Sequence, residues 1–484
     1  MRAAVLYSTV PAGTSYTEAR PLVVQELDRP EPRAGELGVA ITYSSLCHSD
    51  LSVVDGSRVR PLPMALGHEA VGRVVAVGEG VSDVSAGDHV VLVFVPSCGD
   101  CRACRSGRPA LCHRAAEVNG SGDLLHGEAL LRTPSGERIN HHLGVSAFAD
   151  YAVVARESVV VIGDDVPDTV AAMFGCAVLT GMGAVLNTAA VTSGQSVAVF
   201  GLGAVGLSAV MAASLAGAAA VIAIDPNEGK HQLARDCGAT AVGTPDDAAR
   251  LVAAATGDGV DVAVEAVGSA GVIASCLDLV TRGGAVVSVG LPKPSAELTV
   301  GALQFAGAGK RLLGSYMGDA VPERDIPLYL DHWRAGRLPV ELLHTDTRPL
   351  AEINEGLDAL AAGEVVRRLF PASARIRRSQ AARISRRPDT SALSASTTAR
   401  TEAERSDSGR ATAQMGSWRW NSSGSTGTNS GLSATMKFGS RPMPAPRRTA
   451  STWAKMLVAW KLNLGAGSCE DRCPSSATCS ADST

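Results

Sequence analysis

Val197-Ala-Val-Phe200 runs without a break into Gly201-Leu-Gly203-Ala-Val-Gly206, and the apolar helical stretch LSAVMAASLAG follows at once. A strand that feeds a glycine turn and then a helix commits this part of the chain to a βαβ unit in a parallel sheet. Each glycine has its own reason: Gly201 permits the tight turn, Gly203 lets backbone approach a pyrophosphate, and Gly206 lets the helix pack on the strand. The unpaired N–H groups of the helix N-terminus then face the phosphates. Nineteen residues beyond Gly206 the next strand ends in Asp225. An acid there accepts hydrogen bonds from ribose hydroxyls and repels a 2′-phosphate, so the pattern predicts NAD rather than NADP.

The same alternation continues downstream. Strands are expected at Ser196–Phe200, Val221–Ile224, Val260–Val264 and Ala285–Val289, separated by helical segments, the signature of a doubly wound α/β fold. Upstream of about residue 180 the pattern differs: short β-type runs at Leu37–Tyr43, Ala70–Val77, His89–Phe94 and Tyr151–Val154 are split by Gly, Pro and Asp, which predicts a β-rich domain. Pro322 is expected to open a helix through Trp333. The residues thus divide into a β-rich part at 1–180, completed by about 320–370, and a nucleotide-binding part at 181–319.

With 45% hydrophobic residues the chain can bury a large core. Its net charge of −4 gives no chain-wide reason to expect nucleic acid or an anionic membrane. The 28 uncharged residues from Val197 to Ile224 would satisfy a membrane-span filter, but their glycines and the terminal Asp225 read as strand, helix and strand. MRAAVLYSTV turns polar too soon for a secretory signal, and eleven cysteines without one point to metal or reactive thiols before disulfides. A cytoplasmic protein is expected.

Cys98, Cys101, Cys104 and Cys112 are spaced C-x2-C-x2-C-x7-C in a loop with Gly99, Asp100, Gly107 and Pro109. Four thiolates within 15 residues can close a tetrahedron around one zinc and leave no position open for chemistry. The site is read as structural; four-cysteine sets also serve iron–sulfur clusters. Elsewhere, Cys47 and His68 are two of the three protein ligands that a catalytic zinc needs. Spacing alone does not join residues 21 apart, and nothing in the residues themselves singles out a third ligand.

Taken together, Cys47-His-Ser-Asp50, Gly67-His-Glu69, the four-cysteine loop, Gly175-Cys176-Ala-Val-Leu-Thr-Gly-Met-Gly183, the glycine loop and Gly363-Glu-Val-Val-Arg367 resemble the zinc-dependent alcohol dehydrogenases of the medium-chain dehydrogenase/reductase family over residues 1–370. The resemblance implies a GroES-like catalytic domain beside a Rossmann domain, two Zn²⁺ per chain and NAD. By motif, Cys47, His68 and Cys176 resemble the catalytic zinc ligands, Glu69 the neighbouring acid, Asp50 the carboxylate that orients the zinc histidine, and Ser49 the hydroxyl that bonds the substrate oxygen. Phe94 resembles a substrate-pocket aromatic, and Val289 and Leu291 lie in a segment that resembles the strand end against the nicotinamide. Asp225 and Lys230 resemble adenosine-ribose contacts, and His48 and Arg367 resemble pyrophosphate contacts. The implied reaction transfers hydride between a primary or secondary alcohol and NAD, in a dimer or tetramer; a thiol-dependent formaldehyde dehydrogenase is the alternative within the class. Where many relatives end the proton relay in histidine, this chain has Ser52, which cannot act as a base near neutral pH.

Beyond Phe370 the composition turns to Ser, Thr, Ala, Arg, Gly and Pro, with 17 Lys and Arg against 7 Asp and Glu from Pro371 to Thr484. That stretch lacks the apolar surface to offset its ordering entropy. Residues 371–484 are read as a disordered basic tail, closer to a translated wrong frame than to a native arm that contacts nucleic acid; Trp453–Leu464 is its one amphipathic patch, and Cys469, Cys473 and Cys479 form no metal motif. An inactive binding protein acting through that tail is the reading from another class. Cys237 and Cys276 are expected in the core, and His141 and His142 in structural or surface roles, with lining of the pocket as the alternative.

Overall fold

In the computed structural model residues 1–372 are described. The expectations for residues beyond 372, including Trp453–Leu464 and the three tail cysteines, lie outside the described residues.

Six strands form an all-parallel sheet in the order Ala241–Gly243, Ala220–Ile224, Ser196–Phe200, Val260–Glu265, Val280–Ser288 and Arg311–Gly314. The first strand in sequence thus lies between the second and the fourth, so the winding reverses beside it. Crossovers leave there in opposite directions and open a crevice at the carboxyl ends of the strands. Val197, Val199, Val264 and Val287 are wholly buried because helices cover both faces. Helix Ala204–Leu215 begins at Gly203, which has extended backbone. Gly201 adopts φ +91°, and a Cβ at Gly206 would run into the Gly201 carbonyl, so the turn can close only on hydrogen.

The remainder is mostly antiparallel. Leu22–Glu26, Arg2–Leu6, Met64–Ala65, Arg138–His141 and Leu131–Arg132 make one sheet. A second runs Val159–Ile162, His89–Leu92, Ala70–Val77, Glu36–Ser45, Arg367–Pro371 and His344–Thr347, with Tyr151–Ala155 also pairing with Glu36–Ser45. Arg367–Pro371 is therefore tied to the N-terminal third of the chain, with Leu369 opposite Ser45. Helix Pro322–Arg334 opens on Pro322, as the sequence predicts, and carries a second proline, Pro327, in its interior.

The uncharged stretch resolves into strand Ser196–Phe200, helix Ala204–Leu215 and strand Ala220–Ile224. The helix that is long and apolar enough to cross a membrane is a different one, Asp168–Thr188, and 89% of its most apolar window is buried inside the protein. This helix widens to π geometry at Phe174–Val178 and again at Ala184–Thr188. Such widenings commonly mark functional positions, and Cys176 lies in the first of them. Cys237 and Cys276 are buried in the core, where burial pushes the Cys237 thiol up to about 12.

Candidate active site

Two cysteine constellations stand out. In the first, Cys101 and Cys112 sit at the N-termini of helices Arg102–Arg105 and His113–Ser121. Backbone N–H groups point at sulfurs of the loop: Cys98 N donates to Cys112 Sγ at 3.3 Å and Cys101 N to Cys98 Sγ at 3.4 Å. All four sulfurs lie within 4.8 Å of one another, with Cys101 Sγ 3.6 Å from Cys104 Sγ and 4.0 Å from Cys112 Sγ. A tetrahedron with Zn–S bonds of about 2.3 Å has edges near 3.8 Å, so these four residues fit zinc without rearrangement. No donor position is left over. Arg108 ties the loop to Asp319 at 2.8 Å.

The second constellation is assembled from distant segments. Cys47 caps helix His48–Val54, His68 follows strand Met64–Ala65, and Cys176 rides on the π turn. Their ligand atoms lie within 4.8 Å of one another, all buried. His68 Nε2 is buried without a hydrogen-bond partner, while His68 Nδ1 is held at 3.1 Å by Asp50 Oδ1. An imidazole fixed on one nitrogen and unpartnered on the other, facing two sulfurs, is the donor set of a three-ligand zinc. The thiols differ as a close pair must: Cys176 and then Arg367 and His68 hold Cys47 well below its usual value against burial, and Cys47 with burial pushes Cys176 up.

Asp50 is the hub behind this site. Its carboxylate accepts from Cys47 N and Gly67 N, each at 3.2 Å, and faces both His68 and His142. Burial alone would lift this carboxyl; the two imidazoles outweigh it and hold it well below the usual carboxylate range. His142, for which the sequence offers pocket lining as the alternative, lines the cleft, and its partner there is Asp50. Read from sequence as structural or at the surface, it stands with Nδ1 3.2 Å from Asp50 and its ring edge-on to His68 at 5.3 Å. The signal that would have found it is its partner, which lies 92 residues upstream. His141, next to it, is buried away from this cluster.

Glu69 lies beneath the sulfurs. It accepts from Ala177 N at 2.8 Å and pairs with Arg367 at 3.1 Å; burial pushes its carboxyl up to about 7 even though Arg367 opposes this. Arg367 is only 3% exposed and lies 3.5 Å from Cys47 Sγ. It reaches the cleft wall with its guanidinium already engaged by Glu69, not free at the mouth.

A cleft of about 680 Å³ joins Cys47, His68 and Cys176 to the glycine turn. Ser49, His48, Ser52, Phe94 and His142 line its metal end, with Phe94 edge-on to His68 at 5.6 Å and to Tyr316 at 5.9 Å. Gly201, Gly203, Gly206, Asp225, Lys230, Val289 and Leu291 line the other end. Asp225 accepts from Leu202 N at 2.7 Å and Asn227 N at 2.9 Å, and Lys230 Nζ stands 3.7 Å away. A Cβ at Gly203 would meet nothing within 4 Å, because that face of the turn is open to the cleft, as backbone that receives a pyrophosphate must be.

The Alcohol dehydrogenase GroES-like domain family matches residues 33–164, and the Zinc-binding dehydrogenase family matches residues 204–333. The chain is 35% identical over 362 residues to the S-(hydroxymethyl)glutathione dehydrogenase of Synechocystis, covering 74% of this chain and 98% of that one. It is equally similar to the class-P alcohol dehydrogenase of Arabidopsis thaliana, with 95% of that protein covered. The chain belongs to the zinc-dependent alcohol dehydrogenases of the medium-chain dehydrogenase/reductase family. Among solved structures, this dehydrogenase resembles benzyl alcohol dehydrogenase from Acinetobacter calcoaceticus at 30% identity, with a TM-score of 0.69, 77% of this chain covered and 99% of the other. A zinc-binding dehydrogenase from Burkholderia ambifaria aligns with a TM-score of 0.72 at 34% identity, covering 76% of this chain and 98% of that one.

Proposed function

We propose that the cleft transfers hydride between a primary or secondary alcohol and NAD, giving an aldehyde or ketone, with Cys47, His68 and Cys176 holding one zinc and Cys98, Cys101, Cys104 and Cys112 a second. The observation that carries this reading is one continuous cleft with the three-donor set at one end and the glycine turn with Asp225 at the other. When bound, zinc supplies Lewis-acid polarisation of the substrate oxygen and NAD supplies the hydride acceptor.

The chain's own groups do the rest. Asp50 fixes the tautomer and direction of His68, and an anionic partner of this kind makes the ligand more basic. Ser49 Oγ takes the hydroxyl proton of the substrate and passes it outward past His48. Ser52 Oγ donates to the His48 carbonyl at 2.9 Å, so the relay has no base at that position. Phe94 excludes water from the reacting carbon. Val289 and Leu291 would hold the nicotinamide, and Asp225 and Lys230 would hold the adenosine ribose. Glu69 sits where it could approach the metal, and Arg367, paired with it at 3.1 Å, reaches toward the pyrophosphate from beside Cys47.

The metal-binding part takes residues 1–180 with 320–370 and the nucleotide part 181–319, with helix Asp168–Thr188 shared between them. A cytoplasmic setting accords with eight free cysteines among the described residues. A homo-oligomer would form most directly through an edge strand of the parallel sheet, Ala241–Gly243 or Arg311–Gly314. The test is NADH formation from benzyl, cinnamyl and short aliphatic alcohols, with NAD or NADP and with or without a low-molecular-weight thiol, on protein of measured zinc content. About two zincs per chain with NAD-linked turnover is expected; strict thiol dependence would replace alcohol oxidation by the formaldehyde reaction, and zinc-loaded protein that neither binds NAD nor turns over would end the enzyme reading.

A further inference from the structure

The metal end of the cleft carries more positive charge than hydride transfer requires. After helix His48–Val54 the chain runs irregularly to Met64, and Arg58 and Arg60 from this segment both line the cleft, while Val59 between them is 84% exposed. The segment is pinned: Arg58 N donates to Ser52 O at 2.7 Å, and Asn140 Nδ2 donates to the carbonyls of Pro61 and Pro63 at 3.2 and 3.0 Å.

Neither guanidinium has a carboxylate within ion-pair distance among the described residues, and Arg60 Nε is buried without an acceptor. Burial lowers the Arg60 pKa; Tyr316 opposes this, and the Arg58 charge adds to it. Asp225 is the one carboxylate lining the cleft among the described residues, and it belongs to the glycine-turn end with Lys230 beside it. The arginines belong to the opposite end, because the residues that feel their charge are Tyr316 and His142, which surround Phe94 and His68. Half-buried, mutually repelling cations with an unfilled donor are costly unless something brings the counter-charge. Coenzyme phosphates would meet Arg367 and Lys230 beside the glycine turn, not the arginines beside Tyr316 and His142.

We propose that Arg58 and Arg60 form an oxyanion receptor for the substrate, so that the preferred alcohol carries a carboxylate or phosphate remote from its hydroxyl. This inference rests on the alcohol-dehydrogenase reading. A planar fork of N–H donors is the side-chain geometry that matches such an anion. The receptor sets which alcohol is oriented toward the metal, not the chemistry at its carbon.

The test compares neutral and anionic partners of the same skeleton on the zinc-loaded enzyme with NAD: benzyl alcohol against 4-(hydroxymethyl)benzoate, and 1-octanol against 8-hydroxyoctanoate. 4-(Hydroxymethyl)phenyl phosphate distinguishes phosphate from carboxylate. At least one anionic partner is expected to exceed its neutral counterpart in kcat/KM by about tenfold, the size of one charge-assisted hydrogen bond. Arg60→Gln and Arg58→Gln should each cut that ratio by about the same factor, and Arg60→Lys should restore part of it. Preference for the neutral partner throughout, or a ratio that both Gln variants leave unchanged, overturns the proposal. Calorimetric binding of benzoate and of inorganic phosphate gives a readout without turnover. Arg60-dependent binding in a protein that oxidises no alcohol would sink the dehydrogenase reading and keep the receptor; turnover of neutral alcohols without anion preference would do the reverse.

Discussion

The two cysteine sites of this dehydrogenase are built in opposite ways. The four-cysteine loop gathers all its donors from 15 consecutive residues, partly exposed, with backbone N–H groups aimed at the sulfurs. The Cys47–His68–Cys176 site draws one donor from each of three elements, buries them all, and backs them with Asp50, His142, Glu69 and Arg367. A closed set of four can only fold a loop. An incomplete set of three, oriented from behind and open to a cleft, can bind and polarise a substrate. Local assembly goes with stability here, and long-range assembly with chemistry.

The contrast breaks most sharply if a donor is removed from each site. His68→Ala or Cys176→Ala should lower kcat/KM by roughly 10³-fold or more, since Lewis-acid polarisation supplies several kcal/mol and each ~1.4 kcal/mol is tenfold. Such variants should keep the far-UV circular dichroism of the parent and lose about one zinc per chain. Cys104→Ser should do the opposite. Losing a structural metal costs a few kcal/mol, so the Tm should fall measurably. Turnover per folded molecule should survive. Scanning calorimetry beside zinc analysis checks both, and a Cys104→Ser protein that is stable but inactive would erase the distinction.

How much of each site can be read from sequence follows from the same difference. The four cysteines are legible because their spacing is local, and the glycine turn because strand, turn and helix are contiguous. Cys176 is not legible from the residues alone: it lies 108 positions after His68, on a π turn whose neighbours are apolar, and only the resemblance picks it out. His142 escapes even that, because its role is created by Asp50 across the fold. Arg58 and Arg60 belong to no motif in the sequence, and only the fold brings them to the cleft. The parallel sheet was visible from alternation, whereas the return of Arg367–Pro371 to strand Glu36–Ser45 is a long-range pairing that no local pattern encodes.

A finer test separates orienting from binding within the buried site. Asp50→Asn keeps the shape but removes the charge that faces His68 and His142 and accepts from Cys47 N and Gly67 N. Loss of an outer partner of this kind typically costs about 10–100-fold in metal affinity or activity. Zinc should leave the Asn variant more readily under chelator competition, while zinc bound to the four-cysteine loop stays. If both zincs leave together, the two sites are coupled and their independence fails.

The smallest expected effect concerns the proton rather than the metal. Ser52 lies one turn beyond His48 on helix His48–Val54, lines the cleft and spends its hydroxyl on the His48 carbonyl. A histidine at this position would add a base with an ordinary pKa near 6.5. Below that pH an imidazole is protonated and cannot accept the alcohol's proton; above it the neutral ring can. Ser52→His should therefore speed alcohol oxidation by a few-fold, with the gain appearing as pH rises through about 6.5 and absent below about 5.5. Reduction of the aldehyde, which consumes a proton, should gain on the acid side of the same pKa. Steady-state rates in both directions from pH 5 to 9 check this, and a profile identical to that of the parent would mean that the proton leaves through solvent and that Ser52 stands outside its path.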